Sequence, residues 1–502
     1  MSERSSLLSV LESRERHRDW YLQNRDPIAR DRLLWQAQSF RHLVHLLPGE
    51  AILEIGSGCG LFSAALVRIS RGRNPITAAR FAGDDPPHSV ETVEHIRLDA
   101  LPGALEGRRF RYVVVQNILD RADASALLSW IYELLEDGGE AVCFESNPWN
   151  PVFLARNLVR KVFGLARAQS LVSQPELYEL ISEIGFIGVS ARFSDFVYAP
   201  LPSALIWLLR NLSTLLENAP MVRTLAGRIL IHAKKPPRFV ARPAVSLVRH
   251  EALTSAVSVV VPCHNEEMNV GPLVNGLRRH YDGYIHQIVL VDDNSRDGTR
   301  AIIEGLARDD PRITTVFRQP PNGVGRALSD GYGAATGRYV LSMDCDFQHL
   351  LPELEDMFDA AAAGADAVLG SRFSRHSVLI NYPFGKILAN RAFHLAANVV
   401  FRCWCRDLSN NLKLMRIETV RRLSLTDPGF AANAEIGLEL VLMGCAVTEV
   451  PVSWIDRSFN MGRSSFGVVK SGGGYLRVLL RLAGQTAFGF RPLRGRDEPK
   501  TE

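Results

Sequence analysis

Two aspartates directly after a short apolar run constrain this chain more than any other feature. Tyr339 to Met343 is largely apolar, and Asp344-Cys345-Asp346 follows at once. The run predicts a buried strand, and residues two apart in an extended chain share a face, so Asp344 and Asp346 can point into one pocket. Paired carboxylates at a strand's carboxyl end suit Mg²⁺ or Mn²⁺, hard cations that also bind phosphate oxygens. Two acids in an ordinary turn are the alternative, and the surrounding sequence decides against it.

The length of the chain predicts more than one domain. At 502 residues it exceeds one ordinary core, and its 46% hydrophobic content is that of a folded protein. A net charge of +4 is small for this length and gives no reason to expect a nucleic-acid partner. Seven scattered cysteines without zinc spacing favour a reducing cytoplasm. No signal-peptide core and no apolar run of about 18 residues is present, so we expect any membrane contact to lie along the surface.

The first 45 residues are predicted to form a helical cap, 1–45, over the domain that follows. Their apolar residues have amphipathic helical spacing, and no chemistry is expected there. The apolar markers are Trp20, Tyr21, Leu33, Leu34 and Trp35.

A glycine-rich turn follows the first predicted strand, Ala51 to Ile55. Gly56, Gly58 and Gly60 precede a helix that is predicted to begin near Leu61. Glycines let the backbone approach a ligand closely, and a helix N-terminus offers free N–H groups. With Glu54 in the strand, this segment resembles motif I of the S-adenosylmethionine-dependent methyltransferases.

That resemblance continues along the chain and implies a Rossmann-like class I methyltransferase fold over residues 46–235. His95 to Ala100 resembles the strand whose acid lies near the adenine, and Arg111 to Asn117 resembles the fourth strand. The resemblance implies S-adenosyl-L-methionine as cofactor. Its binding residues would be Glu54, Gly56, Gly58, Gly60, Asp99 and Asn117.

The second strand departs from the methyltransferase pattern. The family ends this strand with an acid for the ribose hydroxyls and continues into a helix. Here Asp84 and Asp85 follow Ile76 to Phe81, and the next strand begins before a helix could fit. The sequence leaves open which aspartate serves, and whether the domain methylates or is a non-catalytic binding module.

Residues 201–216 carry leucines at helical spacing on one face, which predicts a core or interface helix, with a membrane-surface helix as the alternative. A linker is predicted at 236–255, where prolines and basic residues keep the chain extended.

A second α/β domain is predicted over 256–466. Val257 to Val261 and Gln287 to Val291 are apolar runs, and each gives way to polar residues. Strands and helices alternate down to the Asp344 strand, so a mainly parallel sheet is expected, with ligands at the carboxyl ends of its strands. The polar residues at these ends are Asn265, Glu266, Asp292, Asp293, Asp344 and Asp346.

Several segments, in one order, resemble the family-2 glycosyltransferases of the GT-A fold, and within them the dolichol-phosphate mannose synthase and polyprenyl-phosphate glycosyltransferase branch. The matching segments are Pro262–Glu267, Asp292–Thr299, Asn322–Ala327, Asp344–His349, Val368–Phe373, Arg406–Lys413, Glu449–Val452, and Arg457 followed by Gly462–Phe466.

The glycosyltransferase resemblance implies a nucleotide-sugar donor, GDP- or UDP-linked, and an inverting transfer. A divalent cation on Asp344 and Asp346, with Gln348 helping, would hold the departing diphosphate. The residues implied in nucleotide binding are Pro262, His264, Glu266, Asp293 and Gln348.

The acceptor is a polyprenyl phosphate in one alternative and a glycan hydroxyl in the other. A phosphate needs cations, and the resemblance places Arg372, Lys386, Lys413 and Arg457 where lipid-phosphate enzymes carry them. A hydroxyl needs a general base, for which Glu435 is the candidate. Asp407 and Glu435 are also the acids that would balance these cations, and Asn433 and Glu435 depart from the lipid-phosphate pattern.

The C-terminal part is predicted as an amphipathic basic helix, 467–490, and a disordered tail, 491–502. Such a helix suits an anionic membrane surface, and packing against the catalytic domain is the alternative. We therefore expect a cytoplasmic glycosyltransferase, peripheral on the inner face of the membrane, with a fused methyltransferase-like domain, in cell-surface glycan or glycolipid synthesis.

Overall fold

The computed structural model divides the chain into two compact units, Met1–Pro243 and Ala244–Glu502. The structure describes residues 8, 10–16, 18–19, 22, 28–81, 88–99, 103–163, 171–197, 203–237, 245–374, 376–380, 382–455 and 468–487. Trp20, Tyr21, Asp84, Asp85, Arg457 and the tail 491–502, all named in the sequence analysis, lie outside these ranges.

The first unit is built on a seven-stranded sheet in the order β3-β2-β1-β4-β5-β7-β6. Strands β1 to β5 are parallel and β7 is antiparallel to both neighbours. The order 3-2-1-4-5 is that of a doubly wound Rossmann sheet. The strands are β1 Ile52–Ile55, β2 Ile76–Arg80, β3 Val93–Arg97, β4 Phe110–Gln116, β5 Leu135–Ser146, β6 Ile187–Ser194 and β7 Arg228–Lys234.

Helices cover this first sheet because its central strands are apolar on both faces. Every residue of β1, β2 and β4 is buried. The α-helices of the unit are α1 Ile28–Val44, α2 Leu61–Ser70, α3 Ala124–Leu134, α4 Pro151–Val162, α5 Gln174–Ile184 and α6 Ser203–Glu217. Between β2 and β3 none of the described residues is helical, in agreement with the missing family helix.

The second unit has a seven-stranded sheet in the order β10-β9-β8-β11-β14-β12-β15. Only β14 is antiparallel to its neighbours among these described strands. A short parallel pair, β13 with β16, forms a separate sheet. The strands are β8 Val257–Cys263, β9 Ile285–Asp292, β10 Ile313–Phe317, β11 Tyr339–Ser342, β12 Ala367–Ser371, β13 Leu379–Ile380, β14 Lys413–Arg416, β15 Val447–Pro451 and β16 Trp454–Ile455.

Helices connect the parallel strands of the second unit, and this arrangement confirms the predicted fold class of two α/β domains, each with a mainly parallel sheet. The α-helices are α7 Val270–Tyr281, α8 Thr299–Asp309, α9 Val324–Ala334, α10 Leu354–Ala362, α11 Phe384–Phe401, α12 Ile417–Val420, α13 Ala432–Leu442 and α14 Val468–Ala487.

Candidate functional site

A cavity of about 740 Å³ opens at the carboxyl ends of β8, β9 and β11 in the second unit. It lies where parallel α/β sheets bind ligands. One wall consists of strand-end residues, and another comes from α11 and α14, which pack against each other. The strand-end wall includes Pro262, His264, Glu266, Asp293, Asp344 and Asp346; the helical wall includes Ala389, Phe393, Ala396, Tyr475, Leu476 and Leu479.

Asp344 and Asp346 both line this cavity and are half-buried. Asp344 Oδ1 accepts a hydrogen bond of 2.7 Å from the Asn411 amide, whose own oxygen accepts one of 2.5 Å from Ser342. These two hydrogen bonds fix the orientation of the Asp344 carboxylate. Asp346 directly precedes the 3₁₀ helix Phe347–Glu353.

The donor set suits a cation shared with substrate. Within the described part of the chain, no group of three or more His, Cys, Asp and Glu side chains gathers around one point. Two carboxylates with the remaining positions left for waters and phosphate oxygens are what Mg²⁺ commonly takes at nucleotide sites. The residues present therefore fit a divalent ion. The side chain of Gln348, the third predicted ligand, lies outside the described residues.

Asp293 and His264, two of the predicted nucleotide-binding residues, are in contact at the cavity. The Asp293 main-chain oxygen lies 2.9 Å from His264 Nδ1 and 2.7 Å from the Asn322 amide nitrogen. Its carboxylate forms an ion pair with Arg318 and accepts the Gly323 N–H at 2.7 Å. These bonds hold the β9 end and the turn before α9 together at the cavity.

Arg372 is held at the cavity by a buried carboxylate. Its guanidinium makes a bidentate pair with Asp407, at 2.7 Å from Nε and 3.0 Å from Nη2, and donates to the Tyr382 hydroxyl at 3.2 Å. Asp407 is fully buried. Burial disfavours the charged form of both groups, but each charge stabilises the opposite charge on its partner. The pKa of Arg372 is therefore raised and that of Asp407 is lowered.

His394 braces the same loop. Its Nε2 accepts the Leu408 N–H at 2.7 Å while Nδ1 lies 2.7 Å from the Asn390 main-chain oxygen, so the ring is neutral. Burial lowers the pKa of His394 to about 4.

Two of the predicted catalytic residues do not reach the cavity with the others. Lys413 is 1% exposed and donates to the Asn410 main-chain oxygen, and burial lowers its pKa to about 7. Glu435 is fully buried, accepts from the Thr426 N–H and hydroxyl at 3.0 and 2.6 Å, and pairs with Arg481 on α14. The physical reason is that each side chain is enclosed by polar partners of its own.

Sequence reasoning gave no ligand-binding role to Asn433, which does line the cavity. It is 5% exposed, and its Oδ1 has no hydrogen-bond partner among the described residues. A buried acceptor left unpaired is costly, so this atom is available to a ligand group. The sequence signal was that Asn433 lies two residues before Glu435 and that both residues differ from the lipid-phosphate pattern.

The glycine-rich turn of the first unit has the predicted conformation. Gly56, Gly58 and Gly60 have φ of 76°, 50° and 82°, a region that favours glycine. Glu54 is buried, accepts from the Ser63 hydroxyl at 2.5 Å, and burial raises its pKa to about 7.

This turn is covered by the chain's own N-terminal segment, residues 10–16 and 18–19, which is helical. The buried Glu15 carboxylate accepts the Gly58 N–H at 2.9 Å and the Phe81 N–H at 2.8 Å. Arg18 donates to the Gln116 main-chain oxygen at 3.2 Å. The prediction that residues 1–45 hold no site chemistry missed these contacts.

The other two predicted cofactor residues lie differently. Asp99 is exposed and forms an ion pair of 2.9 Å with Arg97. Asn117, at the end of β4, accepts from the Ser146 hydroxyl at 3.0 Å and from Arg228 at 2.9 Å.

Two solved structures resemble parts of the chain. A glucosyl-3-phosphoglycerate synthase from Mycobacterium tuberculosis, in complex with Mn²⁺ and UDP-glucose, aligns over 50% of this chain and 89% of its own, at 18% identity and a TM-score of 0.33. Phosphoethanolamine N-methyltransferase 2 from Haemonchus contortus, in complex with S-adenosyl-L-methionine, aligns over 40% and 52%, at 15% identity and a TM-score of 0.30.

Sequence comparison identifies the second unit. The Glycosyl transferase family 2 profile matches residues 258–423. Polyprenol monophosphomannose synthase of Mycolicibacterium smegmatis is 29% identical over 42% of this chain and 82% of its own length. Dolichol-phosphate mannosyltransferase of Pyrococcus furiosus is 28% identical over 39% of this chain, but the match spans only 56% of that protein. The second half of the chain therefore contains a glycosyl transferase family 2 domain, and the protein is a glycosyltransferase.

Proposed function

We propose that this protein is a metal-dependent inverting glycosyltransferase that moves a sugar from a GDP- or UDP-linked donor to a polyprenyl phosphate. The fused methyltransferase domain would act in the same synthesis of cell-surface glycan or glycolipid, at the inner face of the membrane. One observation carries the proposal: a single cavity is lined both by two acids at strand ends and by an apolar wall between two helices.

The acids suit the donor. Departure of a nucleoside diphosphate leaves charge that must be neutralised, and Asp344, oriented by Asn411, lines the cavity together with Asp346. These two carboxylates would hold a divalent ion, which when bound supplies Lewis-acid stabilisation worth several kcal/mol. His264 and Asn322 fix the neighbouring turn where the nucleotide would lie.

The cations suit a phosphate acceptor, which is already an anion at neutral pH and needs no general base. Arg372 lines the cavity, as does Lys386 in the first turn of α11. Glu435, the candidate base for a hydroxyl acceptor, is enclosed by its own partners instead. The family resemblance adds a single in-line displacement without a covalent intermediate, so no nucleophilic side chain is required.

The apolar wall suits an isoprenoid chain. Phe393 and Tyr475 are in edge-to-face contact across α11 and α14, with ring centroids 5.2 Å apart. Outside this wall α11 exposes further apolar residues, Leu388, Leu395 and Val399 among them. No helix in the described part of the chain combines the length and apolarity needed to cross a membrane.

The direct test supplies the full chain with Mg²⁺, a panel of GDP- and UDP-sugars, and polyprenyl phosphate, and follows lipid-linked sugar by mass spectrometry. One donor is expected to give a glycosylated lipid phosphate, and Asp346→Asn is expected to form it about 10³-fold more slowly while unfolding at the same temperature. Transfer that uses only glycan hydroxyls would overturn the lipid-phosphate acceptor. Unchanged transfer by Asp346→Asn would overturn the metal site.

A second candidate for the first unit is a non-catalytic binding module beside a transferase that acts on glycan hydroxyls. The contacts of Glu15 with Gly58 and Phe81 favour it, because they occupy N–H groups at the predicted cofactor turn. Calorimetric titration of the full chain with S-adenosyl-L-methionine separates the two. Tight binding supports the methyltransferase, and heat no larger than that of dilution supports the module.

A further inference from the structure

Helix α4 of the first unit exposes apolar side chains along its whole length. Leu158, Val162 and Phe163 are 63%, 71% and 72% exposed, and Val152 and Val159 are each 52% exposed. Positions 152, 155, 158, 159 and 162 follow helical spacing, so they form one broad apolar face. We call this face, with the exposed Trp149 that precedes it, the α4 surface; it consists of Trp149, Val152, Leu154, Leu158, Val159, Val162 and Phe163.

The α4 surface continues into a neighbouring turn. The Asn150 amide donates to the Leu225 main-chain oxygen at 2.9 Å, which fixes the start of α4 beside the 3₁₀ helix Val222–Leu225. Met221 in that turn is 85% exposed and Leu225 is also exposed. Exposed apolar area of this extent, gathered on two adjoining segments, marks an interaction site.

The charge around α4 identifies the kind of partner. Residues 146–163 contain no Asp or Glu, and they contain Arg156, Arg160 and Lys161. A helix with a broad apolar face, basic residues and no acid has the composition of helices that lie in the headgroup layer of anionic membranes. A symmetric contact between two copies would bring these cations together without an acid on either helix to neutralise them.

We infer that the α4 surface binds an anionic lipid bilayer. The apolar side chains enter the boundary between headgroups and acyl chains, Trp149 lies at that boundary, and the basic residues meet anionic headgroups. This contact belongs to the first unit and does not depend on which acceptor the glycosyltransferase uses.

The place of α4 in the fold gives the contact a consequence for the methyl acceptor. Strand β5 ends at Ser146 and α4 begins at Pro151, so α4 starts at the carboxyl edge of the sheet, the edge that also carries the glycine-rich turn. An acceptor that reaches this cleft from the bilayer would be a membrane-anchored glycan or lipid. This second step rests on the proposed methyltransferase role, whereas the docking step does not.

The test is cosedimentation of the full chain with phosphatidylcholine vesicles, with and without phosphatidylglycerol. The unmodified chain is expected to bind the anionic vesicles, less at high salt. Leu158→Glu with Val162→Glu is expected to reduce that binding by about tenfold, because two charges would enter the apolar layer. The matched control is Tyr178→Glu on α5, an apolar residue that is 51% exposed outside the α4 surface and should leave binding unchanged.

Four outcomes would overturn the inference. The first two are no binding by the unmodified chain and equal binding by the double variant. The third is a loss caused instead by Leu480→Glu on α14 alone, which would place the contact in the second unit. The fourth is a dimer that the double variant dissociates. Transfer to detergent-dispersed polyprenyl phosphate is expected to be the same in the double variant, so failure of docking and failure of the proposed transfer are distinguishable.

Discussion

The two units differ in whether the carboxyl edge of their sheet is open or covered. Each brings a polar turn to the carboxyl edge of a mainly parallel sheet, where α/β folds bind ligands. In the second unit that edge opens into a cavity of about 740 Å³. In the first unit the corresponding turn is covered by the chain's own residues, and Glu15 accepts the N–H groups of Gly58 and Phe81.

The difference shows that polar residues at strand ends identify the ligand-binding edge of a sheet. They do not show whether a ligand can reach that edge. The polar groups in the open cleft are oriented by residues behind them, as Asn411 orients Asp344. The polar groups of the covered cleft are paired with a segment from the start of the chain. Variants that test the two clefts should therefore differ in kind: the first group should change transfer, and the second should change cofactor access.

The largest effect is expected from the open cleft. Asp344→Asn and Asp346→Asn should each lower the rate of sugar transfer by about 10³-fold, because an amide no longer neutralises the cation that holds the departing diphosphate. Initial rates at saturating Mg²⁺ and donor measure this. Asp359→Asn, on α10 outside the cavity, is the matched control and should keep the full rate. A rate within threefold of the unmodified chain for Asp346→Asn would remove this aspartate from the donor site.

The next effect separates stability from activity in the same cleft. Asp407→Ala leaves the Arg372 guanidinium, which is 12% exposed, without its carboxylate partner and should lower the free energy of unfolding by about 3 kcal/mol. Replacing both partners, Arg372→Met with Asp407→Leu, should restore most of that stability but not transfer, because no guanidinium lines the cavity. Chemical denaturation and transfer assays on the same samples measure the two effects.

A matched control is available in the first unit. Asp31 pairs with Arg210 at 2.9 Å, and both are buried. Asp31→Ala should lower stability by less, because Arg210 keeps a second carboxylate partner, Asp195, at 3.1 Å, and it should leave transfer by the folded fraction unchanged. If the Arg372→Met and Asp407→Leu double variant transfers sugar at the normal rate, the Arg372–Asp407 pair contributes only to stability. It would then have the same role as the Arg210–Asp31 pair of the first unit.

How far the sequence predicts these features depends on whether they are local. Strand ends, glycine turns and the two folds follow from short segments, so Asp344, Asp346 and Gly58 could be placed in advance. The burial of Lys413 and Glu435 could not, because Lys413 is buried where β14 lies between β11 and β12, and Glu435 is enclosed by Arg481, 46 residues further along. The contact of Glu15 with Phe81 spans 66 residues and left no pattern in either segment.

The pH dependence of stability should show that the first unit buries acids that are costly to ionise. Burial raises the pKa of Glu145 to about 8, and its Oε1 accepts the Ile118 and Leu119 N–H groups at 3.2 and 3.3 Å. The folded state therefore binds more protons than the unfolded state between pH 4.5 and 8, so unfolding becomes easier as pH rises through that range.

Glu145→Gln keeps the acceptor oxygen but has no proton to lose. Relative to the unmodified chain it should show no gain in stability below pH 4.5, a gain of about 2 kcal/mol near pH 6, and a further increase up to pH 8. Urea denaturation at several pH values measures the difference. A difference that stays constant with pH would mean that Glu145 is ionised in the fold, and the first unit would then resemble the second, where Asp407 is a buried carboxylate with a lowered pKa.

The smallest effect tests the covered cleft itself. Glu15→Ala removes the carboxylate that occupies the Gly58 and Phe81 N–H groups and should tighten S-adenosyl-L-methionine binding by about tenfold, because less free energy is spent on displacing the segment. Calorimetry measures it, and the control is Glu12→Ala on the same helix, where Glu12 forms an ion pair of 2.6 Å with Arg16. Weaker binding by Glu15→Ala would mean that Glu15 contributes to cofactor binding. The N-terminal segment would then be part of a working cofactor site. Unchanged binding by both variants would mean that the cofactor, if bound, does not use these N–H groups, and the resemblance at the glycine-rich turn would extend to backbone shape alone.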